Sequence, residues 1–227
     1  MKYRFAAIVP MRHSSERVTG KNYRTFAGQP LYRRIVSTLL ACPEIGDVMI
    51  DTDSDRILED AKNVFPTVFL YRRPVHLRDG MISMNDVLLN SVEQINADYY
   101  LQTHSTNPLL SEASISAAIQ AFAKKIPYYD SLFSVTRWQT RLWNSTTNPI
   151  NHDPSELQRT QDLEPVFEEN SCLYLFSKAS LTKNSNRIGT RPMMFEIDRM
   201  EAQDIDEEQD FLIAETLFNE LKRIGLE

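Results

Sequence analysis

The chain has 227 residues, of which 42% are hydrophobic, and a net charge of −6 at pH 7. This length suits one α/β domain, and the apolar content excludes a disordered chain. The acidic balance, without a basic tail, argues against general nucleic-acid binding. No apolar stretch is long enough for a membrane span or a signal peptide, and the two cysteines, Cys42 and Cys172, form no CxxC pair. We therefore expect a cytoplasmic protein with neither a membrane nor a nucleic-acid partner.

The first third of the chain alternates predicted strands and helices. Strands are predicted over residues 5–9, 47–52 and 66–71, and helices over 31–41 and from an N-cap at Asp53 through Lys62. Pro10 should end the first strand, because proline has no N–H to donate to a sheet ladder. The order β-α-β-α-β predicts a parallel sheet with helices on both faces.

The remainder continues this alternation with one interruption. Helices are predicted over residues 83–95, from a cap at Ser111 through Lys124, and over 207–223, and strands over 98–102, 132–136, 169–177 and 193–197. We predict a single domain, 1–227. Residues 137–168 show no sustained period and carry Trp138 and Trp143, which would be poorly placed in water. A connection this long is normally functional, so we expect it to pack on a second copy of the chain or to fold back as a lid.

The loop after the first strand is polar and basic. It contains Arg12, Ser15, Arg17, Lys21 and Asn22. A strand that runs into such a loop is a common way for an α/β fold to meet a phosphate group. The loop lacks the Lys-Ser of a Walker motif and the glycines of GxGxxG. The alternative is that these basic side chains are simply solvated.

An acidic segment precedes the last predicted helix. In an extended segment Asp204 and Asp206 project to the same side, because side chains alternate with a period of two. Two carboxylates on one side suit Mg²⁺, a hard ion that takes oxygen ligands and shares them with phosphates. The alternative is that Asp206 caps the helix that follows.

Three further groups are candidates for ligand contact. Gln102 and Thr106 fall at the carboxyl end of a predicted strand, where α/β proteins bind ligands. Arg159 offers a planar guanidinium, the natural partner of a carboxylate. Arg73 follows another strand, and an ordinary surface role is its alternative.

The stretch over residues 10–22, PMRHSSERVTGKN, resembles the N-terminal signature of the sugar-acid cytidylyltransferases, which make CMP-sialic acids and CMP-3-deoxy-manno-octulosonate. Arg12, Ser15 and Lys21 keep the family spacing, and Asn22 matches the Lys-Asn pair of the sialic branch. Arg17, in contrast, matches the octulosonate branch. The loop combines features of both branches, so the identity of the sugar stays open.

The resemblance implies a nucleotide-diphospho-sugar transferase fold, Rossmann-like, with a mostly parallel twisted sheet. It implies transfer of CMP from CTP to the anomeric hydroxyl of an acidic sugar, with pyrophosphate released. It further implies Mg²⁺ on Asp204 and Asp206, and a homodimer with shared active sites. The implied catalytic residues are Arg12, Lys21 and Asp206; the implied nucleotide contacts are Arg12, Ser15, Arg17, Lys21, Asn22, Arg73 and Ser83; the implied sugar contacts are Gln102, Thr106, Arg159, Asn170 and Tyr174, with Arg141 reaching in from the neighbouring subunit.

The chain departs from the family pattern in three places. Glu16 stands where the sialic branch has a lysine, residues 168–171 read EENS in place of Arg-Pro-Asn-Gly, and one extra residue lies between Gln102 and Pro108. Two alternatives therefore stay open. One is a nucleotidyltransferase for a different nucleotide or sugar, although such enzymes typically open with a Gly-rich loop and no glycine lies between Pro10 and Val18 here. The other is a catalytically silent nucleotide-sugar-binding protein, which would have little need of both aspartates.

Overall fold

A computed structural model describes residues 2–225 as one mixed α/β unit. The strands are β1 (Phe5–Met11), β2 (Thr25–Phe26), β3 (Gln29–Pro30), β4 (Ile45–Thr52), β5 (Phe69–Arg72), β6 (Tyr99–Thr103), β7 (Ser131–Trp138), β8 (Val166–Phe176) and β9 (Pro192–Glu196). The helices are α1 (Tyr32–Ala41), α2 (Asp55–Val64), α3 (Met84–Ser91), α4 (Glu112–Ala123), α5 (Lys178–Asn184) and α6 (Glu208–Arg223).

Seven of these strands form one sheet in the order β5-β4-β1-β6-β8-β7-β9. Only β8 runs antiparallel to its neighbours β6 and β7, whereas the other pairs are parallel. The predicted fold class, a mostly parallel sheet with helices on both faces, is confirmed.

Strand β1 is central, and successive side chains feed two cores. Ala7 and Val9 belong to the core under α1, α2 and α4, while Ala6 and Ile8 belong to the core under α3 and α5. This division follows from the period of two in a strand. Burial on both faces explains why the strand reads as a continuous apolar run rather than as an alternating one.

The prediction that Pro10 ends the first strand is wrong. Strand β1 pairs with β4 through Met11, whereas its pairing with β6 ends at Ile8. At Pro10 the strand is therefore paired on one side only, as a strand at a sheet edge is. Proline is tolerated there because its missing N–H can face the unpaired side.

A third core attaches the C-terminal helix to the loop that follows β1. Phe211 and Phe218 of α6 pack edge-on or tilted against Phe26 of β2, and Ile205 is fully buried in the same cluster. The backbone N–H of Ile205 donates to the carbonyl of Thr106 at 3.0 Å. These contacts hold the acidic segment beside the polar loops after β1 and β6.

The cap of α2 differs from the prediction, and the alternative role of Asp206 as the cap of α6 is excluded. Ser54, not Asp53, caps α2, because its Oγ accepts from the N–H of Ile57 while Asp53 accepts from the backbone of His13 at 2.6 Å. Helix α6 starts with a capping box between Glu207 and Asp210, so Asp206 is not its cap. The carboxylate of Asp206 is left available for other partners.

The irregular segment is shorter than the predicted 137–168. Strands β7 and β8 pair as far as Trp138 and Val166, and residues 139–165 connect them with one bridge between Trp143 and Pro149. Much of this connection is exposed, including 51% of Trp143 and 94% of Leu157. Across residues 2–225, no helix has both the length and the apolarity that crossing a membrane requires.

Candidate active site

A cavity of about 600 Å³ opens at the carboxyl ends of β1, β5 and β6. This end of a parallel sheet is where α/β folds bind their ligands. The predicted site residues that line the cavity are Arg12, Ser15, Arg17, Lys21, Asn22, Arg73, Thr106, Asp204 and Asp206. The structure therefore brings together residues from four separate parts of the sequence.

Two predicted sugar contacts lie just behind the cavity wall. Gln102 accepts a hydrogen bond from Arg187, a lining residue, at 2.6 Å, and the ring of Tyr174 lies under the same guanidinium. Asn170 lies farther back, where its side chain accepts from Ser134 Oγ at 2.5 Å.

Three predicted contacts do not line the cavity, although Ser83 lies between two lining residues, Ile82 and Met84. Ser83 caps α3 by accepting from the backbone N–H of Asp86. Arg141 and Arg159 belong to the β7–β8 connection, where Arg141 donates to the carbonyl of Gln158 and Arg159 pairs with Asp162 at 2.7 Å.

Asn22 holds the loop after β1 in place. Gly20, at φ +66°, adopts the left-handed conformation that suits glycine and starts the 3₁₀ turn Lys21–Tyr23. The Asn22 side chain donates to the carbonyl of Arg12 at 2.7 Å and accepts from Ser105 Oγ at 2.6 Å. The amide thus ties the loop after β1 to the loop after β6, so it positions both.

Lys21 faces the two aspartates. Its Nζ donates to the carbonyl of Ile205 and lies 3.8 Å from Asp206 Oδ1, while Arg17 pairs with the same oxygen at 2.7 Å. Burial lowers the pKa of Lys21, and the charges of Asp204 and Asp206 act against that decrease.

Burial also raises the pKa of Asp204, and the nearby charge of Asp206 acts in the same direction. A hydrogen bond with Thr106 and the charge of Lys21 lower it. Within residues 2–225, no group of three His, Cys, Asp or Glu side chains could hold a metal ion. Asp204 and Asp206 supply two carboxylates, which suffices for Mg²⁺ only if phosphate and water complete its shell.

Arg73 is fixed by a buried network on the opposite side of the cavity. The side chain is 2% exposed; its Nε donates to Asp51 Oδ1 at 2.8 Å and its Nη2 to the Asp51 carbonyl at 3.0 Å. The other Asp51 oxygen accepts from Ser91 Oγ at 2.6 Å. Such a fully hydrogen-bonded ion pair leaves Arg73 little freedom.

Neither Arg187 nor His104 was predicted as a site residue from the sequence. Both line the cavity, together with Ser171, which has φ +59° where the family pattern has glycine. Burial lowers the pKa of His104 to about 4, and the charges of Arg187 and Lys21 add to the effect. Arg187 lies in a polar loop between α5 and β9, where no periodic pattern singles it out.

Two solved structures share the fold. A CMP:2-keto-3-deoxy-manno-octonic acid synthetase complexed with CTP matches at a TM-score of 0.71 and 13% identity, and the match covers 96% of this chain and 99% of that one. A 4-diphosphocytidyl-2C-methyl-D-erythritol synthase matches at a TM-score of 0.69 and 12% identity, with coverage of 96% of this chain and 99% of that one. A family model described as "Cytidylyltransferase" matches residues 6–224. The chain belongs to the cytidylyltransferase family, which confirms the resemblance found in the sequence.

Curated relatives carry several different sugar names. An N-acylneuraminate cytidylyltransferase of Oncorhynchus mykiss is 25% identical over 94% of this chain, which spans only 50% of that enzyme. A pseudaminic acid cytidylyltransferase of Campylobacter jejuni is 22% identical over 93% of this chain and 94% of that one. A CMP-N,N'-diacetyllegionaminic acid synthase of Legionella pneumophila is 24% identical over 94% of this chain and 96% of that one.

Proposed function

We propose that this chain transfers CMP from CTP to the anomeric hydroxyl of an acidic sugar of the nonulosonate or ulosonate type and releases pyrophosphate. The observation that carries the proposal is that the basic loop after β1 meets Asp204 and Asp206 in one cavity. Relatives named for sialic, pseudaminic and legionaminic acids support it. Because their sugars differ, the proposal names the class of sugar acid only.

In this reaction the sugar hydroxyl attacks the α-phosphorus in line, and the protein aligns the two substrates and stabilises the phosphate charge. We assign this work to Arg12 and Lys21, with Ser15 and Arg17 as further triphosphate contacts and Asn22 holding the loop. Arg17 and Lys21 both approach Asp206 in the free protein. A bound triphosphate would offer the two cations new anionic partners.

Asp204 and Asp206 are the proposed Mg²⁺ ligands. Burial raises the pKa of Asp204, and the charge of Asp206 acts in the same direction. Two such carboxylates fit a divalent cation, because its charge relieves their mutual repulsion. A bound Mg²⁺ would supply charge neutralisation at the phosphates and at the attacking oxygen.

The two substrates are assigned to opposite sides of the cavity. Arg73, after β5, is proposed to contact the cytidine, with Ser83 ten positions further on. The proposed sugar contacts are Gln102, Thr106, Asn170 and Tyr174. Arg159, outside the cavity, would join them only on leaving its partner Asp162. The order β5-β4-β1-β6-β8 supports this division, because β5 and β8 lie on opposite sides of the phosphate loop strand.

We also propose that the protein is a cytoplasmic homodimer. Exposed apolar side chains in the β7–β8 connection, namely Trp143, Ile150 and Leu157, would be buried if this connection packed on a second copy. Arg141 would then reach the partner's sugar pocket. The two free, buried cysteines are compatible with a reducing compartment.

The test is pyrophosphate release in the presence of Mg²⁺, each nucleoside triphosphate and a panel of sugar acids: N-acetylneuraminate, pseudaminate, N,N'-diacetyllegionaminate and 3-deoxy-manno-octulosonate. We expect release only when CTP and one or more of these acids are present together. Pyrophosphate release with another nucleoside triphosphate would mean that this triphosphate, and not CTP, is the substrate. Binding of CTP without any turnover across the panel would instead support a catalytically silent protein.

Substitution of Asp206 by Asn should remove nearly all turnover and leave the circular dichroism spectrum unchanged, because the residue is assigned to the metal and not to the core. Glu208→Gln is the matched control: this exposed residue pairs with Arg24 outside the cavity and should keep wild-type activity. If Asp206→Asn retains most activity at limiting Mg²⁺, the metal assignment is wrong.

A further inference from the structure

Arg187 is a cation at the β8 side of the cavity. Among residues 2–225, no carboxylate forms an ion pair with its guanidinium. Burial lowers the pKa of the Arg187 side chain, and the charges of Tyr174 and Glu169 act against that decrease. A half-buried cation without an ion-pair partner is costly, so such a group in a cleft is a candidate to bind an anionic ligand.

The Arg187 side chain is held in one orientation. Its Nη1 donates to Gln102 Oε1 at 2.6 Å, and its central carbon lies 3.6 Å from the centre of the Tyr174 ring. Gln102 occupies only one of the five N–H donors of a guanidinium. A planar fork fixed by stacking and by one hydrogen bond is well suited to a carboxylate, which it can bind through two parallel hydrogen bonds.

The loop that carries Arg187 is also anchored. The backbone N–H of Arg187 donates to Asn85 of α3 at 3.1 Å, and that of Gly189 donates to Ser131 Oγ at 2.8 Å. A Cβ added at Gly189 would lie 2.3 Å from Asp130 Oδ1, so the backbone there is tightly packed. Anchoring of this kind reduces the ordering cost of ligand binding.

The position of Arg187 indicates that its ligand is the sugar rather than the triphosphate. Its contacts, Gln102 and Tyr174, lie on β6 and β8, the side assigned to the sugar. Arg159, the sequence-based candidate for the sugar carboxylate, is exposed and already paired with Asp162. We propose that Arg187 binds the carboxylate of the acidic sugar and thereby determines its selection; this inference rests on the proposed function.

The test compares wild type, Arg187→Ala and Arg187→Lys with the sugar acid that wild type uses and with its methyl ester. Loss of a charge-assisted contact should raise KM for the acid about 10–100-fold, with KM for CTP nearly unchanged. The methyl ester should be a poor substrate for wild type, and Arg187→Ala should treat acid and ester alike. Arg187→Lys keeps the charge but not the planar fork, so it should recover only part of the affinity.

Arg191→Ala is the matched control, because this arginine lies on the same segment outside the cavity and donates to the Pro127 carbonyl. If Arg187→Ala folds and keeps the wild-type KM for the acid, the inference is wrong. If wild type turns over no acid of the panel, the proposed function fails separately. Calorimetric titration with the same acids then decides the inference: binding by wild type but not by Arg187→Ala supports it, and equal or absent binding overturns it.

Discussion

At the scale of single residues, Gly80 controls the space available to Arg12. An added Cβ at Gly80 would lie 2.5 Å from Arg12 Nη1, whereas its nearest other neighbours are the rest of that guanidinium and Glu16. These nearest atoms all belong to side chains and none to the backbone. A larger residue at position 80 would therefore displace the Arg12 side chain and leave the fold intact.

Substitution of Gly80 by Ala should therefore raise KM for CTP by about threefold to tenfold, less than full loss of a charged contact would. Steady-state kinetics with CTP as the varied substrate measures this. Gly46→Ala is the control, because its nearest contact would be an ordinary 3.6 Å to the carbonyl of Phe5. Equal KM values in the two variants would mean that Arg12 does not handle CTP.

His104 makes stability depend on pH. Burial lowers the pKa of His104 from 6.5 to about 4 in the folded protein. Between these two values the unfolded chain binds the proton and the folded one does not, so the free energy of unfolding rises with pH and falls on acidification. The contribution is fully present above pH 6.5.

We expect acidification from pH 7 to 5 to cost about 1–2 kcal/mol through this one group. Substitution of His104 by Gln should remove that part of the pH dependence. Urea unfolding at both pH values measures it, with exposed His76→Gln as the control for a histidine away from the cavity. A His104→Gln variant with the same acid sensitivity as wild type would contradict the assignment.

At the scale of elements, β4, the residue after β5 and α3 meet in the network of Asp51, Arg73 and Ser91. The Asp51 carboxylate is 1% exposed and accepts from both partners. Removal of one charge from a buried ion pair leaves the other charge buried without a partner. This lowers the free energy of unfolding far more than removal of a surface ion pair does.

Substitution of Asp51 by Asn should cost about 3–5 kcal/mol in the free energy of unfolding. Asp47→Asn on the same strand breaks only the exposed pair with Arg4 and should cost about 1 kcal/mol or less. Urea titration of both variants tests this. Similar costs for the two would mean that the buried network does not fix Arg73.

Local sequence patterns predicted which elements exist better than where they begin. These elements could be predicted from their own sequences: β1 and β4 from their apolar runs, and α4 from its helical periodicity. Their apolar residues are buried whatever their neighbours are. Asp53 and Ser54 are both good caps, and the choice depends on His13, 40 residues away, which engages Asp53. Such competition between distant partners is invisible to a local pattern.

The same limit applied to the site. The basic loop after β1 and the aspartate pair could be predicted as candidate site residues because each is a short motif, and both line the same cavity. Arg187 was missed, because its importance comes from Gln102 and Tyr174, which lie 85 and 13 positions before it in the sequence. Only the closure of β6 against β8 brings these three side chains together.

At the scale of the whole molecule, the proposed dimer predicts active sites completed in trans. We expect Arg141→Ala and Asp204→Asn each to reduce activity, and a mixture of the two to recover part of it. In the mixed dimer one site carries both substitutions and the other carries neither. Light scattering and the activity of the exchanged mixture measure this; a monomer, or no recovery despite proven subunit exchange, argues that the connection is a lid on its own subunit.

CMP transfer is measured most directly with CTP labelled at the α-phosphorus, Mg²⁺ and the sugar acid that supports pyrophosphate release. We expect the label in a CMP-sugar, identified by mass spectrometry as CMP joined to the intact sugar acid, and almost none of this product with Asp206→Asn. Label recovered only as free CMP or unreacted CTP, with the sugar acid unmodified, would contradict CMP transfer.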